Sequence, residues 1–95
     1  MFVVLLRFTE NKHLASEHMA GHNDWVRKGL DETVFLLTGS ISEGQGGAII
    51  AHGLTRANLE KRLEADPFVA ERIVAPEIIE IAPSMVDHRL AFMNP

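Results

Sequence analysis

The chain has 95 residues, a formal net charge of -4, 46% hydrophobic residues and no cysteine. That length suits one domain around a single core, and the composition is that of a soluble globular protein, with no run near the ~18 apolar residues of a membrane span. Disulfides, thiolate nucleophiles and zinc-thiolate sites are excluded, and the scattered bases do not form the clustered positive footprint that nucleic acid requires.

In chain order, Phe2 to Phe8 is apolar and rich in strand formers, which predicts a strand, central in its sheet. MFVVLL is too short before Arg7 to read as a signal peptide, so the cytoplasm is the expected location. Thr9 or Asn11 can cap a helix over His13 to Gly29, with Gly29 at its C-terminal end. At about 100° per residue, Trp25, His18, His22, Ala15, Val26 and Met19 share one apolar arc with Leu14. Two histidines thus lie on the buried face. Each needs a partner or a task, because a buried polar group left unpaired costs about 1–3 kcal/mol.

Thr33 to Thr38 reads as a second strand, and Ala48 to His52 as a third, joined through the glycine-rich SEGQGG of 42–47, which reads as the most flexible stretch. Thr55 can cap a helix through Ala65, with Leu59 and Leu63 turned inward. Pro67 stops that helix, leaving Asp66 on or near its buried side. Val74 to Ile81 supplies a fourth strand, and Pro76 favours an edge position. Residues 1–83 form the domain, and 84–95 a tail too apolar to hang free, expected to pack on the domain or on a second subunit.

The order β-α-β-β-α-β with right-handed crossovers predicts an α+β, ferredoxin-like fold: a four-stranded antiparallel sheet with both helices on one face. The other face then carries alternate apolar residues of the first strand. An open apolar face of that kind predicts a homodimer, sheet against sheet.

The first strand, His22, Gly39-Ser40, Gly46-Gly47 and above all Ala65-Asp66-Pro67-Phe68-Val69 resemble the YCII-related (YciI-like) proteins, over most of the chain to about Pro83. The resemblance implies a dimeric α-β barrel and an active site built on a His-Asp pair, which falls on His22 and Asp66. Two departures stand out: Ser40 replaces the proline that often follows the second-strand glycine, and the tail is longer. Asp66 is then the partner His22 requires. It either orients the imidazole as a general base or ties helix to helix as a purely structural bond.

Around this pair His18, Ser40, Arg7 and Trp25 are candidate substrate-binding residues. Arg7 suits an anion, Ser40 is a hydrogen-bond donor at the mouth, and Trp25 or Phe68 is a wall. His18 and His22 have the spacing of a two-histidine metal half-site, but Met19 stands where zinc enzymes of that pattern carry glutamate, and only His52 or Asp66 offers a third ligand. No metal and no cofactor is expected. His13 and His88 read as exposed. The leading expectation is a small cofactor-independent enzyme of dehydrochlorinase (lyase) or isomerase type, moving a proton on a small cyclic or aromatic substrate. The alternative is a non-catalytic dimeric module that binds a metabolite or a partner protein.

Overall fold

The computed structural model describes residues 1–93; Asn94 and Pro95, the end of the expected tail, lie outside the described residues. Four strands, β1 (Phe2–Phe8), β2 (Phe35–Ile41), β3 (Gly46–Ala51) and β4 (Val74–Glu80), form one antiparallel sheet in the order β2-β3-β1-β4. The two apolar strands are central and Pro76 lies in an edge strand, as its missing N–H requires. The helices are α1 (Ala15–Asp31), α2 (Arg56–Glu64) and the single turn α3 (Pro67–Ala70). This is the ferredoxin-like α+β arrangement. No helix among the described residues is long and apolar enough to cross a membrane.

Alternation along β1 divides its apolar run between two environments. Phe2, Val4 and Leu6 are buried with Trp25, Phe35, Ile49, Leu59, Leu63, Phe68 and Ile73 in the core beneath the helices. Val3 and Leu5 are half-buried and Arg7 is exposed. Leu37 and Ile79, level with Val3 in the ladder, are 53% and 43% exposed. The sheet therefore keeps one apolar face outside the core.

Several boundaries differ from expectation. Residues Glu10–Leu14 form a 3₁₀ turn capped by the Thr9 hydroxyl, so α1 begins at Ala15 rather than His13. Gly29 does not end α1. It is buried inside it, where a Cβ would stand 2.0 Å from the Phe35 ring, so its missing side chain is what lets β2 approach. The helix stops two residues after it, at Asp31, and Thr33 adopts a left-handed φ of 60° while its N–H bonds the Leu30 carbonyl. Consequently β2 starts at Phe35, later than Thr33.

The SEGQGG stretch is built more tightly than a free hairpin loop. Ser42–Gly44 form a 3₁₀ turn and the Gln45 carbonyl accepts from Phe8 N–H at 3.0 Å. Gly46, already in β3, has φ of 135°, and a Cβ there would stand 2.0 Å from the Leu6 carbonyl oxygen. The α2 expectation matches closely: the Thr55 hydroxyl caps Asn58 N–H, and Leu59 and Leu63 are buried. The tail forms a 3₁₀ turn over His88–Met93 in which Met93 is buried, Phe92 meets the His52 ring edge-on, and Met85 is 91% exposed.

Candidate active site

Between α1 and the sheet lies a cavity of about 360 Å³. Its helix wall is Met19, His22, Asn23 and Val26. Its floor includes Leu6, Phe8, Thr38, Ile49 and Val74, and Phe68 closes one end. Gly39, Ser40, Gly44, Gly46 and Gly47 form a rim in which backbone takes the place of side chains. No lysine, arginine, aspartate or glutamate is among the lining residues.

His22 is the one titratable side chain in that lining, and its position follows from a chain of local causes. Asp66 has extended backbone, and its Oδ1 caps α3 by accepting from Phe68 N–H at 3.0 Å. Pro67 fills the first helical position, where no N–H is needed. Its ring rests against Gly21, where a Cβ would stand 3.1 Å from the proline Cγ. That close approach of α1 and α3 brings the next residue, His22, within reach of the carboxylate. Nδ1 and Asp66 Oδ1 are 2.8 Å apart.

Asp66 is completely buried, whereas the His22 side chain is 16% exposed. A carboxylate only accepts, so Nδ1 is the donor, and in the neutral ring Nε2 keeps the lone pair. Nε2 has no hydrogen-bond partner among the described residues. Phe68 stacks on the imidazole at 4.0 Å with the planes 5° apart, which holds the ring against rotation. Asp66 Oδ2 is buried without a partner, so a short contact to His22 and the α3 cap at Oδ1 carry all of the carboxylate's bonding among the described residues.

The other candidates are dispersed. Ser40 is on the cavity rim. Arg7 projects from the opposite face of the sheet, 3.8 Å from Glu77. His18 does not line the cavity, and among the described residues no group of three or more metal-binding side chains gathers around it or elsewhere. Trp25 packs edge-on against Phe35 at 5.1 Å and donates its indole N–H to the Arg62 carbonyl at 2.9 Å. It borders the site only through the His22 ring, 6.1 Å away. His13 and His88 are exposed as expected. Thr38 and Asn23 in the lining escaped the sequence reading, because one sits in an apolar strand and the other on the polar side of the helical arc. Gly21 carried the overlooked signal: a mid-helix glycine is costly unless something packs against it.

No family model matches the chain, and no curated protein matches it. Among solved structures, the chain is similar to the 5-chloro-2-hydroxyhydroquinone dehydrochlorinase of Burkholderia phenoliruptrix AC1100, in complex with 2,5-dihydroxybenzoquinone. The TM-score is 0.68 at 14% identity, over 85% of this chain and 93% of that one. The two share a fold.

Proposed function

We propose that the protein is a cofactor-independent enzyme of the YCII-related type in which His22, oriented by Asp66, transfers a proton on a small cyclic or aromatic substrate. The observation that carries this reading is the pairing of Nδ1 with a completely buried carboxylate, beside a cavity that His22 lines. Nε2 takes a proton from a substrate carbon or hydroxyl, and the carboxylate stabilises the imidazolium that forms. In an elimination, the C–H electron pair becomes a C=C bond as the leaving group departs with its own pair. In an isomerisation, the imidazolium returns the proton at another atom. The fold shared with a dehydrochlorinase that binds a dihydroxybenzoquinone supports both the reaction class and the substrate size.

Small phenols, quinones and lactones that raise the thermal midpoint are the compounds to test for turnover. His22→Gln should then reduce turnover by about 10²–10⁴-fold in a folded protein, the usual contribution of a general base. Undiminished turnover in His22→Ala would end the proposal. A second reading draws on the same Oδ1, which also caps α3: the pair holds the helices together in a non-catalytic module that binds a metabolite or partner protein. It requires His22→Ala to lower stability while ligand affinity stays constant.

The proposal includes a homodimer closed over the uncovered sheet face, where Leu37 and Ile79 are exposed. The tail, with Met85 and Phe92 exposed, adds a second apolar surface for that contact.

A further inference from the structure

The cavity has opposite electrostatic character at two points. Behind His22 stands the buried Asp66 carboxylate. At the mouth, Lys12 reaches from the 3₁₀ turn and donates from Nζ to the Gly44 carbonyl at 3.0 Å, with the ammonium 4.9 Å from the centre of the Phe8 ring. Gly44 and Phe8 both line the cavity. Lys12 has no carboxylate partner among the described residues, so its charge is answered only by a neutral carbonyl and a ring face. The lining itself holds no charged side chain apart from what His22 acquires. An anion deep in this cavity would meet no cation and would stand close to Asp66. At the mouth it would meet an ammonium whose present partner is easily exchanged.

We propose, building on the general-base reading of His22, that the cavity takes a small ring compound bearing one anionic oxygen, a carboxylate or an ionised phenol. Lys12 binds that oxygen at the mouth while the uncharged part of the ring lies against His22. The ammonium exchanges the Gly44 carbonyl for the substrate oxygen, and an ion pair replaces a bond to a neutral acceptor. The aromatic face of Phe8 keeps the ammonium at the mouth when no substrate is present. Substrate orientation thus follows from charge: the acidic end is repelled from Asp66 and held by Lys12, which turns the reactive end toward Nε2.

Titration calorimetry with matched pairs tests this without needing turnover: 4-hydroxybenzoate against its methyl ester, and 4-nitrophenol at a pH where it is ionised against 4-nitroanisole. The ionised member should bind the unmodified protein about tenfold or more tightly than its neutral counterpart, as a charge-assisted contact provides. Lys12→Met should abolish that difference while leaving the neutral compound's affinity unchanged, and Lys12→Arg should keep it. A preference in the first pair alone makes the anion a carboxylate, and in the second alone a phenolate. Equal affinities within both pairs, a preference that survives Lys12→Met, or no binding of any of the four tighter than about 10 mM would overturn the proposal. A protein that keeps the charge preference yet turns over no ligand fails only the general-base reading.

Discussion

At the scale of single residues, the site depends on which nitrogen of His22 carries the proton. Asp66→Asn tests the part played by the carboxylate's charge behind that ring, with little change in shape. Because His22 Nδ1 and the Phe68 N–H both bond Oδ1, the amide keeps its oxygen toward them, so the tautomer and the α3 cap survive while the charge that stabilises the imidazolium is lost. Turnover should fall by about 10²-fold or more, while circular dichroism and the thermal midpoint stay close to those of the unmodified protein. Asp66→Ala should instead destabilise, by about 2–4 kcal/mol in urea titration, since it removes a helix cap and leaves Nδ1 without its acceptor. Gly29→Ala places a methyl group against the Phe35 ring. It should cost about 1–3 kcal/mol, the usual penalty of overpacking, read from the urea midpoint. These residues were legible to different degrees. A histidine on an apolar arc and an aspartate before a proline stand out in a sequence. The reason for Gly29 does not, because the ring that requires it belongs to the next strand.

At the scale of elements, local signals were followed and nonlocal ones were not visible. Helix α2 begins at the Thr55 cap because the hydroxyl acts on an N–H three residues away. Thr55→Ala should therefore lower stability by about 1 kcal/mol, measured by chemical denaturation. Helix α1 overran its expected end because a glycine inside a helix reads as a terminator until its packing partner is known. The β2-β3 connection likewise looked loose from its glycines, yet Gly46 is the point where β3 passes over the Leu6 carbonyl. Gly46→Ala meets both a forbidden φ and a backbone clash, and should destabilise by more than about 2 kcal/mol. Its thermal midpoint should fall well below that of Gly53→Ala, where the φ of 80° is also left-handed but no atom lies within 4 Å of the added Cβ.

At the scale of the whole molecule, an apolar sheet face without helices over it is the feature that calls for a partner. Sedimentation equilibrium is expected to show a dimer at micromolar concentration. Leu37→Lys, which places a charge on that face away from the cavity, should shift the population toward monomer. A chain that sediments as a monomer before any substitution would remove the sheet-to-sheet contact from the proposal.

The order of the elements, the central and edge strands and the inward face of α2 follow from the sequence alone. Apolar periodicity, proline chemistry and caps act within a few residues, and the short chain leaves few ways to assemble them. Membership of the cavity was decided by tertiary structure. Periodicity assigns a residue to a face of a helix or strand but does not say which neighbour that face will meet. Trp25 and His22 share one arc of α1, yet one faces the Arg62 carbonyl and the other the cavity. Lys12 reached the mouth only because a turn before α1 and a glycine loop before β3 fold toward each other, across 32 positions of chain.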